Sequence, residues 1–203
     1  MTAPAATTAL TPTSTPDSPL RRRTAALVAS RRGPALAFGW AGAEALSWPL
    51  MPELFLAVAC VAAPRAALRL SLAALAGTLA GGLLAVHLAA SGVRLPAPLT
   101  TERMHAEATR QLVAEGAGAV RHQPWNGVPF KVYAAAAGRT GTPPGDFLGA
   151  AARARSVRTL TVGLGFAAFA VSAGRLRRLY PVYLVLLGGG FTAGLALIVT
   201  GWR

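Results

Sequence analysis

Six charged residues stand out by their surroundings in a chain that is otherwise apolar: Glu44, Glu53, Lys131, Arg139, Arg155 and Arg158. An ionisable group at membrane depth costs roughly 2.5–3.5 kcal/mol on insertion scales, so such a group points to function. Glu44 lies between Trp40 and Trp48 in an arm with no other charge. It requires a partner, a proton or a water-filled cavity. Glu53 directly follows Pro52, at the start of a helical arm where the dipole favours a carboxylate; capping and function explain it equally well. Lys131 comes two residues after Pro129, near another helix start, where the same dipole repels a cation. It calls for a carboxylate or an anionic ligand. Arg155 and Arg158 are three apart and share a helical face. With Arg153 they form a cationic cluster that suits phosphate recognition and headgroup snorkelling alike. Arg139 follows Ala137-Gly138 beside an expected interface. The chemistry these residues suggest is charge exchange. Lys131 is expected to pair with Glu44 or Glu53 until an anionic headgroup competes for it, and the released carboxylate then takes a proton. No catalytic residue, metal or cofactor enters this scheme.

The elements that carry these charges are broken apolar segments. Residues 35–63 are interrupted by Trp48-Pro49-Leu50-Met51-Pro52-Glu53, and residues 125–144 by Val128-Pro129-Phe130-Lys131. Proline disfavours helix at and before its own position. The arm at 35–48 would reach only about 21 Å, short of a ~30 Å hydrocarbon core. The reading favoured over one long kinked span is a pair of re-entrant helical hairpins. Paired Pro-interrupted segments in two halves mark the binding site of transporters built from inverted repeats. Residues 70–92 and 179–202 carry no formal charge and are each long enough to span. A third crossing is expected at 159–174. Gly77-xxx-Gly81 and Gly190-xxx-Gly194 allow close helix approach.

The remainder reads as surface. Residues 1–32 are expected to be a disordered basic tail, and 33–203 the transmembrane domain. Residues 101–115 suggest a short surface helix with an Arg103–Glu107 pair, closed by Gly116 and Gly118. Asp146 reads as an N-cap. His87 reads as a packing residue and Cys60 as a small apolar filler. Arginine clusters at 21–23, 31–32 and 175–178 place the tail and the 175–178 loop together on the cytoplasmic side, with 95–123 opposite.

Composition narrows the function classes. The chain has 203 residues, 53% of them apolar and 13% charged, which is a membrane composition. A net charge of +13 would suggest nucleic acid in a soluble protein. Here the arginines flank apolar segments, as the positive-inside rule and anionic headgroups require, so no nucleic-acid partner is expected. One cysteine allows no internal disulfide. His87, His105 and His122 lack ligand spacing, and no H-E-x-x-H, G-x-S-x-G or Walker-type loop is present, so no enzyme is expected.

Glu44 followed by Pro49-x-x-Pro52-Glu53, then Pro129-Phe130-Lys131-Val132-Tyr133 with Ala137-Gly138, then Phe147 and Arg155-x-x-Arg158, resembles the DedA / SNARE-associated (VTT domain) membrane family. The nearest branch is its small YqaA-like one, with Pro-x-Lys in place of Pro-Gly-x-Arg. The likeness covers roughly 36–64 and 123–178. It implies an all-α polytopic inner-membrane protein with two facing re-entrant hairpins and about three full crossings. It also implies transport of an anionic lipid, either a phosphorylated polyprenyl carrier or a phospholipid, often linked to the proton gradient. Glu44 and Glu53 would match the family's embedded acids, and Arg155 and Arg158 its basic pair. The expected partners are membrane lipids and the anionic lipid substrate, with homo-oligomerisation left open. The alternatives are a non-transporting membrane scaffold or quality-control partner and, less favoured for want of a nucleophile, a membrane-embedded phosphatase.

Overall fold

Pro19 at the first helical position and Ser18 before it start α1 (Pro19–Ala29), where the Ser18 hydroxyl accepts from the Arg21 N–H at 3.2 Å. An Asp17–Arg21 ion pair at 2.6 Å closes the same turn. These caps correct the expectation of disorder over the second half of the 1–32 tail. The computed structural model describes residues 17–202, and residues 1–16 of the expected tail lie outside them. All regular structure among the described residues is helical.

The first broken segment forms α2 (Arg32–Leu46) and α3 (Pro52–Ala62). The Ser47 and Trp48 N–H groups both return to the Ala43 carbonyl at 2.8 Å, and Pro49 has no N–H to continue the ladder. The Trp40 indole N–H reaches across the break to the Leu50 carbonyl at 3.1 Å. One 3-10 turn at Pro64–Ala66 leads into α4 (Ala67–Ala90).

α4 is the hub of the molecule, and its small residues make it so. α2 and α4 run in the same direction with their backbones in near contact. A Cβ on Gly77 would lie 2.1 Å from the Phe38 carbonyl oxygen, and one on Gly81 2.5 Å from that of Gly42. Near the start of α4, Arg69 donates to the Ala29 carbonyl at 2.8 Å. Residues 32–62 therefore begin and end beside the same end of α4. The paired glycines of α4 thus have a packing role, as expected. Gly190 and Gly194 differ: a Cβ added at either would have nothing within 4 Å, so no other helix among the described residues packs against them.

The polar stretch forms α5 (Glu102–Glu115), capped by the Thr101 hydroxyl and stopped at Gly116 with φ +58°. Glu107 pairs with Arg110, at 2.9 Å from Arg110 Nε, rather than with Arg103. A 3-10 stretch, Gly116–His122, and one α turn, α6 (Gln123–Asn126), lead to the second break. There Gly127 takes φ +73°, which an L side chain rarely adopts. α7 (Phe130–Arg139) follows, packed on α4 through Gly138, whose Cβ would lie 2.3 Å from the Val86 carbonyl oxygen. α8 (Pro144–Ser172) has 29 residues and runs back along α4, with Phe147 beside Gly82 and Gly163 against Ser71. Its N-cap is Pro143, so Asp146 sits in the first turn and favours the dipole without capping.

A short 3-10 turn, Gly174–Arg177, leads to α9 (Tyr180–Gly201). The Tyr180 and Tyr183 hydroxyls donate to the Val58 and Ala57 carbonyls at 2.9 and 3.0 Å. At the far end the Trp202 indole donates to the Asn126 carbonyl at 3.1 Å, and Thr101 donates to the Trp202 carbonyl at 3.2 Å. α5 and the basic turn therefore lie at opposite ends of α9, about 33 Å apart. The Ser18 N–H donates to the Arg177 carbonyl at 3.1 Å, which joins the start of α1 to that turn.

Two helical segments are long and apolar enough to cross a membrane, Pro64–Ala90 and Tyr180–Gly201. The first is nearly half buried against other helices, whereas in the second only Tyr180 is buried. The third expected crossing, 159–174, is the C-terminal part of α8. His87 lies on the outer side of α4, donating from Nδ1 to the Leu83 carbonyl at 2.8 Å. Cys60 is fully buried among Leu56, Leu70 and Ala74.

Candidate functional site

The buried apolar side chains form two main clusters, and the charges lie on the seam between them. α2 gives Ala37 and Ala41 to one cluster and Ala45 to the other; Glu44 comes between. α8 likewise gives Ala151 to one and Ala167 to the other, with Arg155 between them. Helical spacing forces this: residues 41, 44 and 45 share an inward face, so the carboxylate at 44 cannot reach the surface.

Four of the six predicted residues meet at this seam. Arg155 Nη2 lies 3.4 Å from Glu44 Oε2, and Nη1 lies 3.9 Å from Glu53 Oε1. Arg158 Nε is 2.9 Å from the same Glu53 oxygen. Exposure decides between snorkelling and pairing for Arg155. It is only 2% exposed and Glu44 only 4%, so neither reaches solvent. Arg153, off that face, is exposed. Two carboxylates and two guanidinium groups sum to zero charge, which makes their joint burial tolerable.

The seam is neutral but loosely bonded. The Glu44–Arg155 contact is longer than the 2.7–2.9 Å usual for charge-assisted hydrogen bonds. Both Glu53 oxygens and Arg155 Nε are buried without a well-aligned hydrogen bond; the short Arg158–Glu53 approach lacks hydrogen-bond geometry. The carboxylates can therefore accept protons and the guanidinium groups can accept another anion without a rigid network being dismantled first.

Residues that sequence reasoning missed complete the site. Gln123 accepts from Arg155 Nη1 at 3.4 Å and donates to the Val128 carbonyl at 3.4 Å, so it holds the second break against the seam. The Phe130 ring lies beneath the Arg155 guanidinium, 5.1 Å from its centroid, in a cation–π contact. Neither role is marked in the sequence: Gln123 ends a polar stretch, and Phe130, although part of the motif at the second break, gives no sign there of a contact with Arg155. Arg158 also contacts Met51 Sδ at 3.5 Å, at the first break.

Arg158 opens the seam outward. It lines a groove of about 760 Å³ edged by Arg121 and Arg153 and walled by Trp125, Val157 and Val162. A second groove of about 400 Å³, on the other side of Trp125, also reaches Arg158 and Met51. Trp125 is 89% exposed between them.

Lys131 and Arg139 do not join the seam. Lys131 forms no ion pair with either glutamate, which corrects the expected pairing. Its ammonium donates to the carbonyls of Ser47 at 3.0 Å, Pro98 at 3.2 Å and Trp48 at 3.4 Å. Ser47 is the C-cap of α2, where freed carbonyls and the negative end of the dipole favour a cation. Lys131 is thus a clamp that joins the two breaks. Lys131→Met should lower stability by about 2–4 kcal/mol, since hydrogen bonds to charged groups contribute roughly 1.5–3 kcal/mol each. Thermal unfolding in detergent measures this. Unchanged stability would show that the clamp contributes nothing. Arg139 lies exposed at the end of α7.

No protein-family model, no curated protein and no solved structure matches this chain.

Proposed function

We propose that this chain is a polytopic inner-membrane protein of the DedA/VTT type that moves an anionic lipid across the bilayer. The observation that carries this reading is the buried, loosely bonded Glu44–Arg155–Glu53–Arg158 chain opening at Arg158 into an arginine-edged apolar groove. In this reading the two broken segments, 35–63 and 125–144, are facing re-entrant hairpins, the entering arm of the second extended back over the 3-10 stretch Gly116–His122. The return of residues 32–62 to one end of α4 supports it, as does the contact of the two breaks through Lys131. α4, α8 and α9 cross the membrane around them.

The apolar wall of the groove suits acyl or polyprenyl chains, and Arg121, Arg153 and Arg158 suit a phosphate. A phosphate arriving at Arg158 competes with Glu53, whose released carboxylate takes a proton. Passing the phosphate to Arg155 repeats the exchange with Glu44. Each step replaces one anion by another beside a guanidinium, so no unpaired charge is left in hydrocarbon. The substrate class is a phospholipid or a phosphorylated polyprenyl carrier, and a proton gradient would drive the cycle.

Reconstitution in vesicles with a headgroup-labelled anionic phospholipid, quenched from outside, tests the reading. Wild-type protein should move the lipid, and Glu53→Gln and Arg158→Gln should each slow it by about tenfold or more, as expected for losing one interaction of roughly 1.5–3 kcal/mol in the transfer step. Both variants should stay folded, because glutamine keeps the size of Glu53 while Glu44 still pairs with Arg155, and Arg158 sits at the partly exposed mouth of the seam, where Glu53 keeps Arg155 within 3.9 Å. Vesicles in which wild-type protein moves no anionic lipid would overturn the reading in favour of a non-transporting scaffold.

A further inference from the structure

We propose that a second cavity, bounded by Arg94, His105, Lys131 and Arg139, binds a phosphate-type oxyanion. It shares no lining residue with the grooves that meet at Arg158, and it does not depend on the transport reading. The cavity measures about 480 Å³, has an apolar floor of Leu46, Ala85 and Ala89, and includes no carboxylate among its lining residues. Arg94 and Arg139 are exposed at its rim, and among the described residues neither forms an ion pair. The Lys131 ammonium is occupied by three carbonyls and acts through its charge. Three cations around one partly enclosed space repel one another, and an oxyanion held by two guanidinium forks offsets that repulsion.

His105 reports this potential. The Thr100 hydroxyl gives its proton to the Ala97 carbonyl at 2.6 Å, so it accepts from His105 Nε2, 3.1 Å away. The ring is thereby oriented with Nε2 protonated. Burial holds its pKa below the usual histidine range, and the charges of Arg139 and Lys131 lower it further. Strain is stored next to the cavity. Leu99 has φ +62°, between Pro98, whose carbonyl accepts from Lys131, and Thr100. A non-glycine residue held there costs about 1–3 kcal/mol and is found where the surroundings fix a functional geometry.

The test is a titration of His105 by NMR in the full-length protein, in phosphatidylcholine nanodiscs. One arm adds inorganic phosphate, and the other replaces part of the lipid with phosphatidylglycerol. Binding places an anion near the ring and should raise the His105 midpoint by about one pH unit. A rise with inorganic phosphate identifies a free anion as ligand; a rise with phosphatidylglycerol alone identifies a lipid headgroup. Either rise should be lost in the R94Q/R139Q variant, whose exposed side chains leave the fold intact. No rise in either arm overturns the site. So does a rise of equal size in the variant, because a general membrane surface potential would then explain it.

Discussion

Arg155→Met should leave the protein unable to hold its fold in a detergent that keeps the wild type native. Arg155 is the central cation of the seam and, among the described residues, the only one paired with Glu44. Its removal strands a carboxylate that is 4% exposed and frees the Gln123 amide oxygen. Deleting one partner of a buried ion pair costs about 3–5 kcal/mol, a large part of the roughly 5–15 kcal/mol by which proteins are usually stable. The control is built into the geometry. Glu44→Gln removes the stranded charge, and Glu53 still has Arg158. The double variant Glu44→Gln/Arg155→Met should therefore recover much of the loss, a non-additivity expected of residues in contact. Thermal unfolding monitored by circular dichroism would read it. Equal instability in the single and double variants would show that Arg155 acts through its packing on Phe130 and not through its charge.

Gly77→Ala should also be damaging, although it adds only one methyl group and improves helix propensity. Its Cβ would lie 2.1 Å from the Phe38 carbonyl oxygen, a backbone atom that no rotamer change can move. Overpacking of this kind costs about 1–3 kcal/mol and sometimes more, whereas the gain of alanine over glycine in a helix is about 1 kcal/mol. The clash decides the sign, and because the 2.1 Å contact is with backbone the expected net loss is toward the upper end of that difference, about 1–2 kcal/mol. Gly190→Ala, in the same small-xxx-small pattern, has nothing within 4 Å and should be neutral or slightly stabilising. The first change should also reach the site. α2 held away from α4 carries Glu44 with it, and the already long contact to Arg155 at 3.4 Å would open further. Equal stability of the two variants would show that α2 and α4 do not need their close backbone approach.

Much of the scaffold is legible in the sequence because its causes are local. Proline at 49, 52 and 129 removes backbone donors wherever the chain goes, so the two breaks follow from sequence alone. Thr101 and Gly116 bound α5 for equally local reasons, and the long uncharged runs give α4 and α9. The rarity of charge in apolar surroundings marks Glu44, Glu53, Arg155 and Arg158, and the spacing of the arginines puts them on one helical face. What stays hidden depends on relations across the chain. Glu44 and Arg155 are 111 positions apart, and their pairing is set by the rotation of α8 about its axis, which no local pattern encodes. Sequence points Lys131 at the glutamates because it displays carboxylates but not carbonyls freed by a helix end. Only the fold brings the end of α2 to the start of α7. The two glycine pairs look alike in sequence, yet only the one on α4 meets another backbone, because contact belongs to both helices and a motif describes one.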